Sequence, residues 1–263
     1  MPAHDTTLPG APCWVDLMTS DPAKAREFYG ELFGWTSEEP NEQFGGYFNF
    51  AKDGQLVAGG MTKQQAELPD VWSVYLLTPD AEKTAAAVPA HGGTVMIAPM
   101  PVADLGVMAV LTDPGGAVIG LWQQGLHRGF GVLAEPGAPG WFELLTRDYP
   151  AAVAFYQEVF GWKTNVVADT DEFRYTVLVD DAGEQHAGIM DASGFLPEGV
   201  PAHWGVYFGV EDTDAALALT VKLGGAVVQP ATDTPYGRLA VATDPTGATF
   251  KLVGRNTEEP AKD

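Results

Sequence analysis

Residues 14–35 read WVDLMTSDPAKAREFYGELFGW, and residues 141–162 read WFELLTRDYPAAVAFYQEVFGW. The two stretches align without a gap. Trp14 falls on Trp141, Asp16 on Glu143, Asp21 on Asp148, Phe28-Tyr29 on Phe155-Tyr156, and Phe33-Gly34-Trp35 on Phe160-Gly161-Trp162. The correspondence continues downstream: Trp72-Ser73-Val74-Tyr75 pairs with Trp204-Gly205-Val206-Tyr207, and Asp113-Pro114-Gly115-Gly116 with Asp244-Pro245-Thr246-Gly247. Self-similarity at a long fixed spacing marks a duplication, here two halves of roughly 120 residues. The reading is an N-terminal domain over 1–125, a Gly- and Pro-rich linker over 126–139, and a C-terminal domain over 140–256. A length of 263 residues agrees with about two domains.

Within each half the pattern predicts two units of strand, helix and further strands. Residues 13–19 alternate Trp14, Asp16 and Met18 against Val15 and Leu17, the period of a strand. Asp21 then suits a helix N-cap and Pro22 the first turn, where a missing N–H costs nothing. Ala25, Phe28, Tyr29, Leu32 and Phe33 form one apolar helical stripe, which Gly34 ends. Strands follow at 45–52 and 55–61. The next unit has a strand at 71–77, a helix at about 80–90, and strands near 94–98, 106–112 and 117–123. In the other half the helices are expected near 149–160 and 213–223, with strands near 203–210, 226–229, 238–243 and 248–253. The fold class is therefore α+β, built from four β-α-β-β-β units.

Composition removes several functions. With 14 Lys+Arg against 35 Asp+Glu the net charge is −21, which repels phosphate backbones and anionic bilayers, so neither nucleic acid nor a membrane is expected as a partner. No run approaches the ~18 apolar residues of a membrane span, and the first residues lack a signal-peptide pattern. The one cysteine, Cys13, cannot form an internal disulfide and reads as a buried hydrophobe. These features predict a cytoplasmic protein.

The Asp-capped helix carrying Phe-Tyr, its Phe-Gly-Trp ending and the late Asp-Pro-x-Gly hairpin together resemble the vicinal oxygen chelate superfamily. That group holds glyoxalases, extradiol dioxygenases and bleomycin-resistance proteins, and the likeness to its tandem glyoxalase-like members spans nearly the whole chain. It implies two domains, each an eight-stranded, partly open barrel around a cleft. It also implies where metal ligands would stand. One is on the first strand, seven residues before the capping Asp (Trp14 and Trp141), and one is in the second unit (about Ser73 and Gly205). The others are near Gly59-Gly60 and Gly188-Ile189, and on the last strand, four residues after the turn Gly (Gly120 and Lys251). None of these residues offers an imidazole or a carboxylate, so no metal and no other cofactor is expected.

By strand parity Asp16 shares a face with Trp14, Glu143 with Trp141, Tyr75 with Ser73, and Tyr207 with Gly205. The candidate ligand-binding residues are thus Trp14, Asp16, Ser73, Tyr75 and Gly120 in one cleft, and Trp141, Glu143, Tyr207 and Lys251 in the other. Rings beside an acid suit a flat aromatic or polyketide-like ligand; the alternative is that they fill the barrels as core. Lys251 is expected to pair with Glu143 and partly plug the second cleft, whereas Gly120 should leave the first one open. Asp16, without a counter-ion, is a candidate general base. His186 and His203 are weighed as an unusual metal site with Glu143, and Arg238 as an anion contact or a surface ion pair.

Three functions remain open: a metal-independent binding protein that sequesters a flat metabolite or antibiotic, a glyoxalase-like lyase or isomerase with an absent or unusual metal site, and a scaffold with vestigial clefts. The tandem arrangement allows a monomer or a homodimer.

Overall fold

The computed structural model describes residues 8–257. In the first half the elements are β1 (Pro12–Thr19), α1 (Pro22–Phe33), β2 (Thr36–Ser37), β3 (Phe48–Lys52), β4 (Gln55–Thr62), β5 (Val71–Leu77), α2 (Ala81–Ala87), β6 (Thr94–Val102), β7 (Gly106–Thr112) and β8 (Val118–Gln124). The second half repeats them as β9 (Pro139–Thr146), α3 (Tyr149–Phe160), β10 (Thr164–Asp169), β11 (Arg174–Val179), β12 (Gln185–Asp191), β13 (His203–Gly209), α4 (Thr213–Lys222), β14 (Ala226–Thr234), β15 (Gly237–Thr243) and β16 (Thr249–Gly254). Each half folds into one open eight-stranded mixed sheet, in the orders β2-β3-β4-β1-β5-β8-β7-β6 and β10-β11-β12-β9-β13-β16-β15-β14. This is the α+β architecture the repeats imply.

Local chemistry sets the helix ends. The Asp21 carboxylate accepts from the Lys24 N–H, and Asp148 from the Ala151 N–H, each satisfying an otherwise orphaned donor. Gly34 and Gly161 close the same helices at φ 72° and 70°, where a side chain would be strained. The helix expected over 80–90 is shorter as an α-helix, because Pro89 turns residues 88–91 into a 3₁₀ segment. Edge strands β6 and β14 run four to five residues past their expected ends, through bulges that sequence periodicity does not reveal.

One face of each sheet belongs to a shared core. Cys13, Val15 and Leu17 on β1 are fully buried, and the equivalent side chains of β5 and β8, Val74, Leu76, Ile119 and Leu121, join them. The two halves interlock across this core. Phe28 and Phe33 of α1 meet Phe250 and Phe208 of the second sheet, with ring centroids 6.0 and 5.1 Å apart. The Tyr29 hydroxyl takes a hydrogen bond from the Trp72 indole at 2.9 Å and donates to Asp244 of the other half at 3.0 Å. Its counterpart Tyr156 takes one from Trp204 at 2.9 Å and donates to Asp113 at 3.3 Å. Trp35 and Trp162 donate across the same boundary, to the carbonyls of Gly137 and Gly10. The residues that signalled the repeat are thus the ones that join its copies.

The segment between the sheets is pinned. The Phe130 N–H donates to the Cys13 carbonyl, the Gly131 N–H to Leu56, and the Phe130 ring is buried between Trp14 and Phe142.

Candidate functional site

The opposite face of each sheet carries the candidate residues, and strand register arranges them in two rungs. In the first half Asp16 lies between Gly59 on β4 and Ser73 on β5, while Trp14 pairs with Tyr75, which pairs with Gly120 on β8. In the second half Glu143 lies between Gly188 and Gly205, and Trp141 pairs with Tyr207, which pairs with Lys251. Every ligand-binding candidate therefore falls on one of two equivalent patches.

In the first patch Asp16 is 6% exposed, and among the described residues no cation pairs with it. Its Oδ1 accepts from the Trp14 indole at 2.9 Å and the Tyr47 hydroxyl at 2.7 Å, and the carboxyl is also bonded by Tyr75. Burial pushes its pKa above the usual carboxylate range, against the lowering effect of these three donors. Burial likewise holds the Tyr47 and Tyr75 hydroxyls well above ordinary phenols, with the Asp16 charge adding to the effect.

In the second patch Glu143 accepts from Tyr175 at 3.1 Å on Oε1, and from Tyr207 at 2.9 Å and the Lys251 ammonium at 2.7 Å on Oε2. The Trp141 indole donates to the Tyr175 hydroxyl at 2.8 Å. The expected Lys251–Glu143 pair is present and buried, with side chains 10% and 6% exposed. Burial and the neighbouring Glu143 charge raise both tyrosine hydroxyls above the phenol range.

Tyr47 and Tyr175 were not foreseen. Tyr47 immediately precedes β3 and Tyr175 is the second residue of β11, and both lie over glycine. A Cβ on Gly59 would sit 1.9 Å from the Tyr47 hydroxyl, and one on Gly188 would sit 2.0 Å from that of Tyr175. A Cβ on Gly120 would lie 2.2 Å from the Tyr75 ring. The bare backbone at these positions is what admits the rings. It also tests the implied metal: at Gly59, Gly120 and Gly188, positions that would supply ligands, there is no side chain and a phenol ring fills the space, and at Gly205 the Lys251 side chain does. Among the described residues no group of three or more His, Cys, Asp or Glu converges as an ion would need. The donor set does not fit a divalent ion.

One expectation needs correction. The first cleft is not the more open one: Tyr75 covers Gly120, His127 stands edge-on to Trp14 at 4.5 Å, Phe130 lies 5.5 Å from it, and Trp14 is only 4% exposed. Trp141 is half-buried instead, and half-buried Phe173 stacks on Tyr175 at 5.6 Å and 13°. The segment that covers Trp14 lies beyond the repeated sequence, so the alignment of the halves gave no sign of it. Nor do the histidines meet at Glu143. His186 pairs with Asp180 at 3.2 Å and His203 bonds the Pro201 carbonyl at 3.0 Å. Arg238 is engaged by Asp214 and Asp233 at the surface. His4 lies outside the described residues.

Comparison with known proteins agrees with this architecture. The chain is 38% identical over 271 residues to the anthracycline biosynthesis protein DnrV of Streptomyces peucetius, covering 96% of each chain. It is 37% identical over 260 residues to the putative glyoxylase CFP32 of Mycobacterium bovis, covering 96% of this chain and 98% of that one. In fold it is similar to a Mn(II)-bound glyoxalase from Novosphingobium aromaticivorans (TM-score 0.64, 15% identity, 94% of this chain and 82% of that one). It is equally similar to the 2,3-dioxygenase LapB from Pseudomonas sp. KL28 (TM-score 0.64, 17% identity, 98% and 97%). The family model described as the glyoxalase/bleomycin resistance protein/dioxygenase superfamily matches residues 13–121 and again 138–252, and the chain belongs to that superfamily.

Proposed function

We propose that the protein is a metal-independent binding protein for a flat, fused-ring organic molecule, held chiefly in the second cleft. The observation that carries this reading is Trp141. Its indole is half-buried beside a floor tied together by Glu143, Tyr175, Tyr207 and Lys251, and the Phe173–Tyr175 stack adds a second aromatic surface. Partly exposed rings backed by a hydrogen-bonded polar floor suit stacking with a planar ligand. The likeness to DnrV, named for anthracycline biosynthesis, supports a tetracyclic polyketide as the ligand class. In the first cleft Trp14, Asp16, Ser73, Tyr75 and Gly120 form a more closed counterpart. The buried, lone Cys13 and the strongly acidic surface support a cytoplasmic setting.

The test is titration of the protein with a tetracyclic anthracyclinone, followed by tryptophan fluorescence and thermal melting. Saturable quenching and a raised Tm are expected, because a ligand specific to the native state stabilises it. Both should vanish in Trp141→Ala and persist after exhaustive treatment with EDTA. An unchanged Tm at saturating ligand, or binding that EDTA abolishes, would overturn the reading.

The raised pKa of Asp16 favours a second reading, a proton-transferring enzyme with Asp16 as general base. Exchange of the α-protons of a bound carbonyl compound in D₂O, seen by NMR in the wild type and lost in Asp16→Asn, would support it. Exchange that survives in Asp16→Asn would exclude it.

A further inference from the structure

The two clefts share an indole, a carboxyl group and two phenols, yet differ by one charge. Gly120 in the first leaves room for the Tyr75 ring and nothing more, while the equivalent Lys251 in the second extends over Gly205, with Cε 3.0 Å from where a Cβ would be. The Lys251 ammonium donates to Glu143 at 2.7 Å and to the Tyr207 hydroxyl at 3.3 Å, and lies 4.6 Å from the centroid of the Tyr207 ring. An ammonium group has three hydrogens. Two are used, and among the described residues no acceptor meets the third. Glu143 in turn accepts from three donors, so its charge is matched and the floor of this cleft presents a donor rather than an acceptor.

We infer that the second cleft reads a carbonyl oxygen on its ligand, of the quinone or aryl-ketone class, through the free N–H of Lys251 while the ring lies on Trp141. Lys251 and Trp141 stand on the same rung with Tyr207 between them. Two strand spacings separate them, about 10 Å, which a fused tricyclic ring bridges. The first cleft, with no ammonium and its indole covered, has no such preference. This inference rests on the ring-binding reading above.

Two neutral probes that differ only in the carbonyls separate the possibilities: hydroxymethyl-anthraquinone and hydroxymethyl-anthracene, each titrated against the whole protein by tryptophan quenching. The wild type should bind the quinone about tenfold or more tightly than the anthracene, the discrimination a charge-assisted hydrogen bond supplies. In Lys251→Met the quinone should weaken until the two affinities agree. Because that variant strands Glu143, the doubly neutral Glu143→Gln/Lys251→Met chain serves as a second test and should show the same loss of preference. If both probes bind the wild type equally, or the quinone preference survives in both variants, this inference fails while ring binding stands. If neither probe binds, ring binding fails and this inference with it.

Discussion

Asp16 and Glu143 occupy the same place in the two copies but face different electrostatic problems. Glu143 has an ammonium partner, whereas Asp16 has only neutral donors among the described residues, and burial leaves its folded-state pKa above the unfolded value. The native state therefore binds more protons than the unfolded chain between those two values, so stability falls as pH rises through that window. Asp16→Asn should flatten this slope, which urea unfolding at pH 4 to 8 would measure; a slope equal to that of the wild type would mean that Asp16 contributes none of it. The Lys251–Glu143 pair predicts an opposite pattern of additivity. Lys251→Met alone should cost about 3 kcal/mol by leaving a buried charge unpaired, whereas Glu143→Gln/Lys251→Met should lie close to the wild type. Additive single-variant costs would show that the pair is uncoupled. Strand parity was enough to place these residues on one face, and the Lys/Gly difference between the copies was enough to foresee the ion pair. Tyr47 and Tyr175 escaped because the loops before β3 and β11 differ in length, so the repeats fall out of alignment where these tyrosines stand.

Among the strands, glycine decides what the site can be. Gly59, Gly120 and Gly188 each lie under a tyrosine that a methyl group would displace. Gly120→Ala is expected to cost about 1–3 kcal/mol through overpacking against Tyr75, and Tyr75→Ala in the same chain should recover part of that loss. Chemical denaturation of the three variants measures both numbers, and a neutral Gly120→Ala would show that Tyr75 moves aside freely. Elements were legible wherever period and caps agreed, as at β1, α1 and α3. They were less so at β6 and β14, whose bulged, largely exposed ends carry no amphipathic signal.

Across the whole molecule, the reciprocal Trp72–Tyr29–Asp244 and Trp204–Tyr156–Asp113 chains tie the two sheets together through buried hydrogen bonds. Tyr29→Phe leaves the Trp72 N–H and an Asp244 oxygen without their partner in a buried place, and should cost about 1–3 kcal/mol. Calorimetry should show one transition, shifted as a unit, in Tyr29→Phe and Tyr156→Phe alike; two separated transitions would mean that the halves unfold independently. Sequence reading found the duplication from these aromatic and Asp-Pro residues but assigned them to separate domains. Nothing in a linear repeat says whether a tyrosine serves its own copy or the other one.

Those cross-boundary chains also constrain how the duplicated copies can diverge. A change at Tyr29 is felt by an aspartate encoded in the other copy, so the fastening residues are tied to one another as a set. The clefts lie on the far faces of the sheets, free of that tie. Within this one chain the fastening trios are identical, whereas the cleft floors already carry different acids and, in one copy alone, a lysine. The architecture thus leaves one lobe at liberty to acquire a new specificity while its twin keeps the old one.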